Sequence, residues 1–185
     1  MSAKRPLPTP FDYLVLAGGQ APSLKFLKKL AEISKTIVTV DSGANLALRA
    51  NLRPTIHVGD NDSTTASVLK KLKPQSQVIL EPRKSISDLE YALKLLPPNS
   101  SKLVVAAHRD HEGRGDHPFI NMLIASQRKL FLADEESWIR GLKNEKFSFS
   151  ARRKTIFSIV PVRPCVLSVK GAEYNVKKKQ LAVVS

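Results

Sequence analysis

Cysteine, acidic residues and long apolar runs are all scarce in this chain of 185 residues. The single cysteine, Cys165, excludes an internal disulfide framework and a cysteine-based zinc site, and it favours a reducing, cytoplasmic setting. We expect its side chain to be a small, buried apolar one. No apolar run approaches the roughly 20 residues of a membrane-spanning helix. Prolines also interrupt the first ten residues, so we predict neither membrane insertion nor a secretory signal.

The shortage of acidic residues leaves a strongly basic protein. Thirty Lys and Arg residues stand against 16 Asp and Glu, for a net charge of +14. The excess is greatest in the tail, because residues 140–185 carry eleven basic and two acidic side chains. This charge favours polyanionic partners such as nucleotide phosphates or nucleic acid. The tail has no aromatic pattern typical of RNA-binding modules and no zinc-finger spacing, so we rank nucleic-acid binding below phosphate binding.

Short apolar runs alternate with amphipathic patterns over most of the chain. "YLVLAGG" has the pattern of a buried strand entering a loop, and "SLKFLKKLAEIS" places leucines at helical spacing. Repeated strand–helix units predict an α/β fold, with a mostly parallel, doubly wound sheet and helices on both faces. After Trp138 the helical period disappears, and we predict four β-type runs: 146–151, 155–162, 165–176 and 180–185. The predicted domains are therefore an α/β domain over 1–141 and a small antiparallel β domain over 142–185.

Polar residues gather in the loops that follow the predicted strands. In an open parallel sheet these loops share one edge, where ligands bind. Besides Gly18 and Gly19, we expect this edge to bring together the following side chains: Asp41, Asp60, Asp62, Asp88, Asp116, Arg109, Arg114, His108, His111 and His117. Taken singly, the aspartates on either side of Asn61 are typical of an Asx-turn, and Asp88 of a helix start. Taken together, several carboxylates on one edge repel each other unless a cation lies among them.

Magnesium is the cation that such an edge favours. It binds one or two carboxylates, keeps several waters and takes phosphate oxygens as its other ligands. Arginines and glycine-rich backbone would then hold the phosphates, and we expect the histidines to contact phosphate or backbone rather than a transition metal. Carboxylates, Mg²⁺ and arginine together are the groups used in phosphoryl transfer. The chain has neither a P-loop nor a kinase-type glycine-rich loop.

Four segments resemble the thiamine pyrophosphokinase (thiamine diphosphokinase) family in order and spacing. They are "VDSGANLAL", "RPTIHVGDNDS", "SDLEYAL" and "GRGDHPFIN", and the resemblance spans roughly residues 13 to 135. It implies an enzyme that transfers a diphosphoryl group from ATP, as co-substrate, to thiamine and releases AMP. It also implies a Mg²⁺ cofactor and a homodimer with the thiamine site at the subunit interface.

The resemblance also assigns roles to individual residues. It implies that Asp60, Asp62 and Asp88 are the metal ligands and, with Arg114 and Asp116, the catalytic residues. The remaining positions, including two phosphate contacts expected from the loop pattern, are predicted to bind ATP and its phosphates: Asp41, Ser42, Gly43, Asn45, Gly59, Ser63, Ser87, Arg109, His117 and Asn121.

Some positions depart from the family pattern. Tyr91 stands where a lysine is often found, and Glu112 adds a negative charge where the pattern has glycine; Asn61 replaces an aromatic residue. Because the chain stops at Ser185, the β domain is expected to be a shortened thiamine-binding domain. These departures leave two alternatives open. One is a degenerate member that binds a nucleotide or a phosphorylated ligand without turnover, and the other, of lower rank, is a basic nucleic-acid-binding protein.

Overall fold

The computed structural model describes residues 10–72, 76–79, 85–105, 116–126, 130–151 and 153–183. The chain divides into two compact units, one extending to Phe147 and the other continuing from Ser148. The sequence predicted a domain boundary after residue 141. The first unit extends further along the chain, because Phe147 packs against its core.

Within the described residues, the first unit forms a seven-stranded sheet. The strands are β1 (Phe11–Leu16), β2 (Ser34–Val40), β3 (Ile56–Gly59), β4 (Gln77–Ile79), β5 (Lys102–Val105), β6 (Leu130–Ala133) and β7 (Trp138–Arg140). The helices are α1 (Leu24–Glu32), α2 (Gly43–Arg49), α3 (Ala66–Lys71), α4 (Asp88–Leu95) and α5 (Asp116–Ser126). Strands β1 to β6 pair in parallel, and β7 pairs antiparallel with β6. The predicted fold class is therefore confirmed.

Alternation along the central strands places the core on both faces of this sheet. On β1, Val15 belongs to one buried cluster, while Leu14 and Leu16 belong to the other. Helix α4 contributes to the first cluster, and helices α1 and α2 contribute to the second. Central strands that are buried on both faces explain the nearly continuous apolar runs in the sequence.

The strand order is β4-β3-β2-β1-β5-β6-β7. The chain starts at the centre, runs outward to β4 and returns to β5 on the other side of β1. The direction of winding therefore reverses between β1 and β5, where doubly wound sheets form a ligand crevice at the carboxyl ends of their strands. The loops after β1, β2 and β3 begin at that edge.

Strand β7 was not predicted from the sequence. It follows a tight turn in which Asp134 Oδ1 accepts hydrogen bonds from the backbone N–H groups of Glu136 and Ser137, both at 2.7 Å. Trp138 packs against the second cluster, and the centroid of its ring lies 6.5 Å from the centroid of the Phe26 ring. An antiparallel edge strand thus brings Trp138 against this core.

The second unit contains the hairpin β8 (Cys165–Val169) and β9 (Val176–Leu181), which pair antiparallel. Two predicted runs, 146–151 and 155–162, are wrong as strands, since none of their described residues is in a strand. Apolar, β-prone residues become strands only where another backbone supplies hydrogen bonds. The expectation for Cys165 is also wrong, because its side chain is exposed on β8.

No helix among the described ranges has both the length and the apolar character needed to cross a membrane.

Candidate active site

Asp41 lies directly after β2, where the backbone turns sharply. Its φ of 45° is in the left-handed region, which few residues other than glycine, asparagine and aspartate adopt readily. Its backbone N–H still donates to the carbonyl of Val58 on β3, at 3.0 Å. A Cβ atom on Gly59 would collide with Asp41 Oδ1, so only glycine at the end of β3 leaves room for this carboxyl.

Four carboxyl groups meet around Asp41. Burial raises the pKa of Asp41 to about 8, with further contributions from Asp88, through its charge and a hydrogen bond, and from the charges of Asp60 and Asp62. Asp41 Oδ1 is buried and accepts no hydrogen bond from any described residue. The predicted convergence of these four aspartates at one edge is therefore what the structure shows.

The loop between β3 and α3 carries two of these carboxylates. The backbone N–H of Asp62 donates to Asp60 Oδ1 at 3.2 Å, which is the Asx-turn that the sequence pattern favoured. Asn45 on α2 holds the far side of the loop, since its Nδ2 donates to the carbonyl of Ser63 at 3.2 Å and its Oδ1 accepts from the N–H of Thr65 at 3.4 Å. The Asx-turn and the loop that carries the candidate metal ligands Asp60 and Asp62 are thus the same segment.

Asp88 is the first residue of α4. Ser87 caps the helix by accepting a hydrogen bond from the N–H of Glu90 at 3.1 Å. A carboxylate in the first turn is stabilised by the helix dipole, which explains why an aspartate is tolerated at this position. Tyr91, one turn further on, packs against the first core cluster, and the residue that departs from the family pattern is therefore a packing residue.

The start of α2 lies close to the ends of β1. A Cβ atom on Gly43 would collide with the carbonyl of Leu16, so the helix rests directly on the end of that strand. A Cβ atom on Gly18 would come within 2.9 Å of Ser42 Oγ. Ser42, Gly43 and the glycine loop after β1 are therefore neighbours, as the strand order requires.

Several predicted site residues are not fully described. Arg109 and Arg114 lie outside the described residues, as do His108, His111 and Glu112. Asp116 and His117 begin α5, and only their backbone is described. Asn121 is half-buried on α5. The predicted roles of these residues stay predictions.

Sequence reasoning did not identify a buried polar row beside the site. The side chain of His57 on β3 is 1% exposed and lies between Thr39 on β2 and Asn61 in the acidic loop. The signal in the sequence was a histidine inside the apolar run "TIHVG", four residues before an asparagine.

Within the described ranges, no three His, Cys, Asp or Glu side chains form a group that could hold a metal ion. The buried oxygen of Asp41 and the crowding of four carboxyl groups nevertheless favour a positive charge at this edge.

Fold and site together define a doubly wound α/β protein with a carboxylate cluster at the carboxyl ends of its strands. The family model for "Thiamin pyrophosphokinase, catalytic domain" matches residues 27–131, more than half of the chain. The chain belongs to the thiamin pyrophosphokinase family, and the predicted membership is confirmed. The family is one of transferases that act on small molecules, so the prediction of a transferase-type enzyme is confirmed at that level.

Solved structures share the fold. The chain is 20% identical to thiamine pyrophosphokinase from Bacillus subtilis, with a TM-score of 0.74, covering 94% of this chain and 86% of that one. It is 23% identical to thiamin pyrophosphokinase from Geobacillus thermodenitrificans, with a TM-score of 0.67 and coverages of 92% and 82%. A protein from Lactobacillus plantarum gives 21% identity, a TM-score of 0.69 and coverages of 94% and 84%. No curated protein matches this sequence significantly.

Proposed function

We propose that this protein transfers a diphosphoryl group from ATP to thiamine in a Mg²⁺-dependent reaction. The observation that carries the proposal is the cluster of Asp41, Asp60, Asp62 and Asp88, which crowds negative charge at the strand edge of a thiamin pyrophosphokinase fold. Such a cluster is costly for the protein alone and becomes favourable when a cation and phosphates bind there.

In this reaction the hydroxyl oxygen of thiamine attacks the β-phosphorus of ATP. The bond from that phosphorus to the oxygen bridging it to the α-phosphorus breaks, AMP leaves with the bridging oxygen, and the hydroxyl proton is released. Of Asp60, Asp62 and Asp88, the metal ligands predicted from the sequence, one or two would hold Mg²⁺, which when bound would neutralise phosphate charge. The protein contributes mainly position and electrostatics, as is general for phosphoryl transfer.

The chain's own groups limit the repulsion among the carboxyl groups and hold the acidic loop in place. In the metal-free protein, burial and the neighbouring carboxyl groups raise the pKa of Asp41, which favours its neutral form and reduces the repulsion among the four carboxyl groups. Asn45 fixes the loop that carries Asp60 and Asp62. The hydrogen bond from Asp41 N–H to the carbonyl of Val58 holds the end of β2 beside β3, from which the acidic loop begins.

The test is AMP formation from ATP. We expect it to require both thiamine and Mg²⁺, and to fall by about 100-fold or more in Asp60→Asn. Asp12→Asn is the matched control, because Asp12 is the second residue of β1 and thus lies at the opposite end of the parallel strands. Equal rates in Asp60→Asn and Asp12→Asn would refute the assignment of the site.

Calorimetry separates this function from the degenerate alternative. If Mg²⁺–ATP binds but thiamine neither binds nor elicits AMP, the protein is a nucleotide-binding member without turnover. The homodimer, the interfacial thiamine site and the cytoplasmic location stay predictions, and sedimentation of the purified chain measures the first of them.

A further inference from the structure

A row of three hydrogen-bonded polar side chains, two of them buried in the sheet, leads to the acidic loop. Thr39 on β2 and His57 on β3 are paired in register across the two parallel strands, and they are 0% and 1% exposed. Thr39 Oγ1 lies 3.0 Å from His57 Nδ1, and His57 Nε2 lies 2.8 Å from Asn61 Oδ1. The row therefore runs from the sheet to the residue between Asp60 and Asp62.

The partners determine where the ring carries its proton. A carbonyl oxygen such as Asn61 Oδ1 only accepts, so His57 Nε2 must donate to it. A neutral ring then has an accepting Nδ1, to which the hydroxyl of Thr39 can donate at 3.0 Å in place of the carbonyl of Ile56 at 3.4 Å. Burial lowers the pKa of His57, which agrees with a neutral imidazole. Both ring nitrogens are thus satisfied inside the protein.

Asn61 is the point at which this row controls the loop. Its φ of 67° is left-handed, a conformation that leaves the chain turning between the two aspartates. Its side-chain Oδ1 lies 2.8 Å from Nε2 of His57, whose ring is almost wholly buried. Asn45 separately fixes the loop at Ser63 and Thr65. Loop position on the β3 side therefore depends on the bond from His57.

We propose that His57 is a positioning residue, which holds Asn61 and thereby sets the directions in which Asp60 and Asp62 present their carboxylates. The inference rests on the proposed function for its catalytic consequence, namely that these carboxylates engage Mg²⁺ and phosphate. The hydrogen bond between the buried ring of His57 and Asn61 in the acidic loop is tested without measuring turnover. Groups that hold binding residues in place commonly affect affinity without touching the ligand.

Two amide variants separate the two ends of the ring. In His57→Gln the side-chain amide nitrogen reaches the place of Nε2 and still donates to Asn61. In His57→Asn the shorter side chain reaches only the place of Nδ1, towards Thr39, and the bond to Asn61 is lost. Both variants are neutral and polar, and Asn is smaller than Gln by one methylene, so the stability of each variant is measured to separate lost packing from the lost hydrogen bond.

Hydrogen exchange at the amides of residues 60–63 is the first measurement. We expect exchange to be at least about tenfold faster in His57→Asn than in His57→Gln, under conditions where urea titration shows both to be folded. ¹⁵N NMR of the wild-type ring should show a proton on Nε2, and Asn61→Ala should weaken that preference. Equal exchange in the two variants, or a wild-type ring protonated on Nδ1 alone, overturns the proposal.

The second measurement is turnover. We expect the Mg²⁺ concentration giving half-maximal AMP formation to rise about tenfold or more in His57→Asn, and to stay within about threefold of wild type in His57→Gln. If the role of His57 were purely structural, both variants would lose stability, and the Mg²⁺ concentration giving half-maximal AMP formation would be the same in His57→Asn and His57→Gln. If the wild type makes no AMP, the proposed function fails, and the exchange data alone decide the role of His57.

Discussion

Asp41→Asn gives the sharpest test of the electrostatics at the strand edge. Asn has nearly the same shape and also tolerates the left-handed φ of 45°, so the change removes a titrating group with little backbone strain. In the unfolded chain this carboxyl titrates near its ordinary value of 3.8, and in the folded protein near 8. Between these values the folded state holds one more proton, so wild-type stability must fall as pH rises.

The size of the effect follows from the shift. At about 1.36 kcal/mol per pKa unit, a rise from 3.8 to about 8 corresponds to about 5–6 kcal/mol for a group isolated from solvent. Because the Asp41 side chain is only half-buried, solvent screens its interactions, and we expect about 2 kcal/mol. Asp41→Asn should thus be about 2 kcal/mol more stable than wild type near pH 8 and equal to it near pH 4.

The assay is urea unfolding of metal-free protein between about pH 4 and 8, followed by the fluorescence of Trp138, the single tryptophan. Asp12→Asn is a control of opposite sign. Hydrogen bonds from Lys35 and Ser101 hold the pKa of Asp12 below its ordinary value, so its contribution is present above about pH 4 and is lost in acid. Equal pH slopes for wild type and Asp41→Asn would refute the reasoning.

Three further predictions concern close contacts around the sheet. Gly59→Ala should displace the carboxyl of Asp41 and cost about 1–2 kcal/mol of unfolding free energy, together with most AMP formation, in parallel urea and rate assays. Lys102→Met should cost about 1–3 kcal/mol, because the buried Nζ donates to the carbonyls of residues 97 and 100 at 2.7 and 3.0 Å; an unchanged urea midpoint would contradict this. Asn45→Ala should cost about 1 kcal/mol in thermal unfolding, whereas Ser63→Ala should not, since Ser63 bonds Asn45 through its backbone.

Much of the fold could be predicted because its signals are local. Runs such as "YLVLAGG" and "SLKFLKKLAEIS" show strand or helix character within a few residues. The observed β1 overlaps the first run and starts two residues before it, and α1 lies within the second. The parallel order then brings the loops after the strands to one edge, which is why the cluster around Asp41 could be anticipated. Locating the cluster required the alternation of elements and no knowledge of distances.

The errors arose where the outcome depends on a distant partner. Residues 155–162 are rich in β-formers, yet no neighbouring strand pairs with their described part. Trp138 opens a strand because the turn at Asp134 returns the chain to β6. Cys165 lies in a two-stranded sheet, which has no second layer of its own to cover it. Pairing and burial are tertiary properties, and propensity does not specify them.

By itself the sequence determined the α/β class, the acidic strand edge and the family, since all three follow from periodicity and from the order of short motifs. Tertiary structure alone decided which groups touch. It placed Asp41 in a left-handed turn against Gly59, and it joined Thr39, His57 and Asn61 into one hydrogen-bonded row. Thr39 and His57 are 18 residues apart in sequence, and only the register of β2 against β3 makes them neighbours. Hydrogen bonds require such proximity, so their network became visible only in the folded chain.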